Sequence, residues 1–159
     1  MRVKTVELFE YDELSEVAKE KARDWFVACD ELPFLTGLLN DDASCLLQEA
    51  GIKGEFVLFY DLGFSQGDGC VLEGRFEFRG AEFGVAQRGH YVHEKSYVIT
   101  FSSDDELEVE FRRVLEGVCL ALKRRGYAYI ANERKREVVE EGIRANGYEF
   151  LFDGSFFKY

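Results

Sequence analysis

The segment from Glu55 to Arg79 leaves the chain little choice of local path. Glu55 to Leu62 is a near-continuous apolar run with Phe, Val and Tyr, and Cys70 to Arg79 alternates, with Leu72, Gly74, Phe76 and Phe78 on one side and Glu73, Arg75 and Glu77 on the other. β-branched and aromatic side chains suit a pleated surface, and a two-residue period sends one set inward and the other to water. Between the runs lies Gly63-Phe64-Ser65-Gln66-Gly67-Asp68-Gly69, whose glycines reach backbone conformations closed to other residues and whose Ser and Asp can bond their own turn. An antiparallel hairpin over 55–79 is expected.

The rest of the chain supplies helices to cover that sheet. Val3 to Phe9 reads as a strand, after which Asp12 or Ser15 can cap a helix by accepting a bond from a free first-turn N–H. Leu14, Val17, Ala18, Ala22, Trp25, Phe26 and Cys29 recur at three- and four-residue steps, the mark of an amphipathic helix. Pro33 opens a second helix with Leu35, Leu38, Leu39, Ala43, Leu46, Leu47 and Ala50 inward, and Gly51 ends it. After a Gly-rich connection, Ser96 to Phe101 reads as a strand. Asp104 or Asp105 then starts a helix with Leu107, Phe111, Val114, Leu115, Val118 and Leu122 buried, and Gly126 is expected to stop it. A fourth helix is expected from about Asn132 to Arg144, followed by the helix-ending pair Asn146-Gly147. Tyr148 to Tyr159 fits a second hairpin, with Asp153-Gly154 as a two-residue type I′ turn. The expected class is α+β: a mainly antiparallel sheet with about four helices packed on it and hairpins at 55–79 and 148–159.

A chain of 159 residues with 15 Phe, eight Tyr and one Trp can bury a core without staples, and one Pro with no polar tract marks no linker, so residues 1–159 are expected to form a single domain. No apolar run approaches the roughly 20 residues of a membrane helix, and no secretory leader is read at the start. The cysteines Cys29, Cys45, Cys70 and Cys119 are scattered among apolar neighbours and are expected to be reduced and buried. Zinc favours close pairs such as C-x-x-C, which are missing; His90 and His93 could join Cys70 only if the fold set them side by side, so no metal ligand set and no cofactor is expected.

The net charge of −11 is unevenly spread. Arg112, Arg113, Lys123, Arg124, Arg125, Arg134, Lys135 and Arg136 face only Glu116 and Glu133 within their stretch, a local sum of +6 against −17 elsewhere. Lys123, Arg124, Arg125, Arg134, Lys135 and Arg136 form a candidate basic patch. For Lys123 to Arg125 the competing reading is a helix end, where the macrodipole favours cations. The surrounding negative field opposes steering toward DNA and argues against direct nucleic-acid binding, whereas an acidic surface suits a basic protein.

Two segments carry a family resemblance: Phe9-Glu10-Tyr11-Asp12-Glu13-Leu14-Ser15 leading into a Lys/Glu/Ala helix, and Gly63-Phe64-Ser65-Gln66-Gly67-Asp68-Gly69-Cys70. They resemble a family of small phage and prophage proteins, some labelled antitoxin-like, with a Leu-Ser helix start, a Trp or Tyr farther along that helix, and a Ser-Gln-Gly-Asp-Gly hairpin followed by a small residue. The resemblance covers the first half of the chain clearly and the rest in outline. It implies an accessory protein of a mobile element acting in the cytoplasm of a bacterial host cell.

The hairpin tip admits two readings. Ser65, Gln66, Gly67, Asp68 and Gly69 could hold a partner through open backbone and a carboxylate, or their side chains could simply close the turn. The tip lacks the G-x-x-x-x-G-K-[ST] pattern of a phosphate loop, and the chain has no G-x-S-x-G elbow and no H-E-x-x-H helix. Asp41-Asp42 and Asp104-Asp105 stand where helix starts or solvated turns favour acids, and a catalytic set would have to be assembled from Asp61, Asp68 and His90 without support from any spacing template. No catalytic residues are assigned. The favoured reading is a binding protein whose acidic surface, together with the hairpin tip, engages and inhibits a host protein that normally handles nucleic acid by mimicking phosphate charge, in an anti-defence, host-takeover or antitoxin-like role; the alternative is a small-molecule or metal-dependent enzyme or sensor built around the 63–70 tip.

Overall fold

The computed structural model describes residues 3–29 and 31–159, and the fold is α+β: four helices with an antiparallel four-stranded sheet and a two-stranded one. The chain runs β1 (Phe9–Glu10), α1 (Glu16–Cys29), α2 (Leu35–Glu49), β2 (Ile52–Asp61), β3 (Gly69–Phe78), β4 (Ala81–Gln87), β5 (Tyr97–Ser102), α3 (Asp105–Glu133), α4 (Arg136–Asn146) and β6 (Glu149–Phe150). By its internal packing the chain divides into two compact units, one of residues 1–32 with 130–159 and one of residues 33–129.

The unit of residues 33–129 is a meander in which β2, β3, β4 and β5 pair in chain order. The 55–79 hairpin is present, in register from Ile52↔Phe78 to Asp61↔Gly69. β4 falls in the stretch expected to be a Gly-rich connection. Arg79 and Gly80 both have positive φ (50° and 81°), the requirement of a two-residue type I′ turn, so the chain folds straight back and Ala81, Phe83 and Val85 alternate inward. Phe83 stacks on Phe111 of α3 at 4.2 Å, and Leu115 and Leu122 continue the buried stripe of that helix. Leu35, Leu39, Ala43 and Leu47 are the buried positions of α2. Burial of four aromatic rings, Phe76, Phe78, Phe83 and Phe111, is worth roughly 1.5–3 kcal/mol each against exposure, which makes this the anchor of the unit.

Gly126 does not stop α3, which continues to Glu133. A Cβ at Gly126 would lie 2.3 Å from Leu62 Cδ1 and 3.4 Å from Leu39 Cδ2, so the missing side chain lets the helix close on its neighbours. Consequently Lys123, Arg124 and Arg125 are interior to the helix, and the helix-end explanation of their charge fails. The fourth helix correspondingly begins later than expected, at Arg136, and ends with Gly147 in the left-handed conformation (φ 63°). The expected Asp104 cap is formed: its Oδ1 accepts the N–H groups of Glu106 (3.0 Å) and Leu107 (3.2 Å).

In the other unit, Tyr11, Leu14, Ala18, Ala22, Val139, Ile143 and Phe150 form the core, with Trp25, Phe26, Tyr148 and Phe156 packed against it. Ser15 rather than Asp12 caps α1, accepting the Ala18 N–H at 3.3 Å. Val17 is 79% exposed instead of inward, because it sits roughly 100° around the helix from Ala18. The strand expected over Val3–Phe9 is reduced to Phe9–Glu10, paired with Glu149–Phe150. The C-terminal turn also differs from a type I′ hairpin. Gly154 N–H bonds Leu151 C=O and Leu151 N–H bonds Ser155 C=O, both at 2.8 Å, with Gly154 alone left-handed (φ 82°), which makes a three-residue loop with a bulge and leaves Phe150↔Phe156 as an isolated bridge.

Candidate functional site

The hairpin tip is closed by its own side chains. Asp68, 2% exposed, accepts the Ser65 N–H at 2.9 Å on Oδ2 and the Ser65 hydroxyl at 2.6 Å on Oδ1, and the Tyr127 hydroxyl donates to Oδ2. Tyr127 in turn accepts the Phe64 N–H at 3.2 Å, and its ring packs on Phe64 at 4.5 Å. The hydrogen bonds from Ser65 and Tyr127 hold the Asp68 carboxyl below its ordinary range, while burial and Asp68 push the Tyr127 phenol up. Ser65, Gln66 and Gly67 are exposed, and at Asp68 the hydrogen bonds outweigh desolvation. Gly69 is buried: a Cβ there would approach Val92 C=O at 2.9 Å. The acid of the tip is therefore committed to the turn, and Ser65, Gln66 and Gly67 are the part that faces outward.

The remaining sequence candidates separate into scaffold and surface. Arg125 bonds Asp42 at 2.7 Å and the Tyr129 hydroxyl bonds the same carboxylate at 2.6 Å. Asp42 thus ties α2 to α3 from inside its helix, where a helix start or solvated turn is expected from Asp41-Asp42. Arg136 bonds Glu140 at 2.8 Å, and Lys123 is half-buried; Arg124, Arg134 and Lys135 are exposed. His90 is exposed, and His93 Nδ1 accepts the Lys95 N–H at 3.3 Å. Among the described residues no group of three His, Cys, Asp or Glu side chains could hold a metal ion. Cys70 and Cys119 are buried, their thiols pushed up to about 12 by desolvation, but Cys29 and Cys45 are exposed. Cys29 closes α1 at the margin of its apolar stripe, and Cys45 lies two residues from both Ala43 and Leu47, on the opposite side of α2.

A surface not singled out in the sequence is the outer face of the four-stranded sheet. Alternation places Lys53, Glu55, Val57, Phe59 and Asp61 of β2 there, with Val71, Glu73, Arg75 and Glu77 of β3, Glu82 of β4 and Val98 and Phe101 of β5; Val71 and Gly69 are buried, so the face is covered at its Asp61 end and open toward Lys53. Val57 is 56%, Phe101 45% and Val98 40% exposed. Glu77 and Glu82 stand directly opposite each other across β3 and β4, and like charges in that position destabilise a sheet. Lys53 flanks Glu77 on the other side, yet among the described residues none of Lys53, Glu77 and Glu82 takes part in a salt bridge. The signal was present in the alternation of 70–79, but without β4 neither the carboxylate pair nor the width of the face could be seen.

Among the described residues no helix is long and apolar enough to cross a membrane. Comparison with family models, curated proteins and solved structures finds no match in any of the three.

Proposed function

We propose that the protein is a binding protein that uses the outer face of its four-stranded sheet to engage and inhibit a basic host macromolecule. The observation that carries this reading is the exposed Glu77–Glu82 pair on the sheet face that also carries exposed Val57, Val98 and Phe101. A cationic partner relieves the repulsion between the two carboxylates, and the apolar side chains give up water on docking. A host protein that normally handles nucleic acid has the required basic surface, against which the carboxylates stand in for phosphate charge. The family resemblance of the first half of the chain adds the setting: a phage or mobile-element accessory protein in the cytoplasm of a bacterial host, in an anti-defence, host-takeover or antitoxin-like role.

The test compares capture from bacterial lysate by the wild-type chain and by a Glu77→Lys/Glu82→Lys/Phe101→Ser variant. The expected result is a partner held by the wild type, released as ionic strength rises, and absent from the variant. Capture that survives the triple substitution at equal strength would refute the assignment to this face.

A further inference from the structure

We infer that β2 is a self-pairing edge and that two copies of the chain join through it, antiparallel, about a two-fold axis at Val57. The strand is ten residues long, against the five or six of an ordinary strand, and among the described residues its only strand partner is β3. A free edge presents unpaired N–H and C=O groups to any chain that can match them, and proteins blunt such edges with prolines, bulges or charges. Between Ile52 and Asp61 there is no proline and the β2–β3 register is continuous, so of these devices only charges are present, at Lys53, Glu55 and Asp61.

The charges of β2 select the register. With Val57 opposite Val57 of a second copy, Lys53 meets Asp61, Gly54 meets Tyr60, Glu55 meets Phe59 and Phe56 meets Leu58. Each pair joins residues of the same parity, so side chains on the outer face meet outer-face partners and outward-pointing backbone groups meet one another. The two-fold repeats every pair, giving two Lys53–Asp61 ion pairs flanking an apolar centre. Asp61 lacks a cross-strand answer in its own sheet, since its partner there is Gly69. Among the described residues neither Lys53 nor Asp61 is in a salt bridge, and both are exposed. Repulsion between two chains of −11 is screened beyond about 8 Å at physiological ionic strength, whereas these ion pairs are in contact. Because the symmetric pairing closes on itself, the product is a dimer with one continuous eight-stranded sheet, not a filament.

Sedimentation equilibrium over a concentration series tests the association, and circular dichroism reports whether each variant keeps its sheet. The wild type is expected to dimerise. Lys53→Asp turns both ion pairs into like-charge pairs and is expected to weaken the dimer at least about tenfold, and Lys53→Asp/Asp61→Lys to restore it within about threefold. Register is read separately in a Cys29→Ser/Cys45→Ser background. There Val57→Cys places two thiols opposite each other, within disulfide reach in either type of antiparallel pair, so mild oxidation should yield a covalent dimer. Glu55→Cys, facing Phe59 of the other copy, should not cross-link. A wild type that stays monomeric at every concentration, a double variant no stronger than Lys53→Asp, or cross-linking of Glu55→Cys as efficient as that of Val57→Cys overturns the inference. Ordered growth beyond the dimer also overturns it, in favour of β2 pairing with β5.

Discussion

Removing the carboxylate of Asp68 is the sharpest test of how the hairpin tip is built. In the folded chain this group receives the N–H and hydroxyl of Ser65 and the hydroxyl of Tyr127 while only 2% exposed. Hydrogen bonds to a charged group contribute about 1.5–3 kcal/mol each, but Ser65 is exposed and water can reach it once the acceptor is gone, so Asp68→Ala should cost about 2–4 kcal/mol in all. Asp68→Asn keeps the shape, loses the charge and turns an N–H₂ toward donors, and should cost about 1–2 kcal/mol. The sign of the pH dependence follows from the lowered carboxyl. Its stabilisation is fully present above the unfolded value of about 3.9 and is lost as pH falls through the lower folded value, so Asp68→Asn should flatten the acid limb of the stability curve. Urea unfolding followed by far-UV circular dichroism measures both effects. Trp25 fluorescence, which reports on the unit that does not contain Asp68, reads whether the loss is confined to residues 33–129. An unchanged slope with a shift under about 0.5 kcal/mol for Asp68→Ala would mean that the tip is not held by these bonds.

Three other substitutions or reactions have definite outcomes. Trp25 is half-buried and stacks on Phe156 at 4.2 Å, so Trp25→Ala should cost about 2–3 kcal/mol, below the 3–5 of a fully buried aromatic, measured by near-UV circular dichroism during unfolding. Gly117 has open space where a Cβ would go, so Gly117→Ala should stabilise α3 by about 0.5–1 kcal/mol. Gly126→Ala should yield none of that gain, because its new methyl meets Leu62; equal melting midpoints for the two variants would contradict the close packing. Titration with an aromatic disulfide at neutral pH should find Cys29 and Cys45 reacting rapidly, with Cys70 and Cys119 appearing only after denaturation, since burial holds the latter two at about 12.

Much of this arrangement is legible in the sequence wherever local period and turn chemistry suffice. The two-residue alternation of 70–79, the apolar run before it and the glycines between them specify the β2–β3 hairpin, and the stripe Phe111, Leu115 and Leu122 specifies the buried side of α3. The errors arise where one residue type serves two purposes. Gly126 looks like a helix stop but is a contact with Leu62; Arg79-Gly80 looks like the start of a loop but is a tight turn; Asp42 looks like a solvated acid but joins Arg125 and Tyr129. In each case the deciding partner lies far away along the chain.

The same division applies to the candidate sites. Sequence alone determined that the 63–69 segment is a turn and that its residues can bond their own backbone, because those are properties of the residues themselves. Only the tertiary structure decided that Asp68 is committed to Ser65 and Tyr127, that Glu77 stands exposed against Glu82 on the outer sheet face, and that β2 is an edge strand. Those facts depend on which strands become neighbours and which helix returns to them. Such long-range pairing is set by the balance of the whole packed chain, and no local window of sequence contains it.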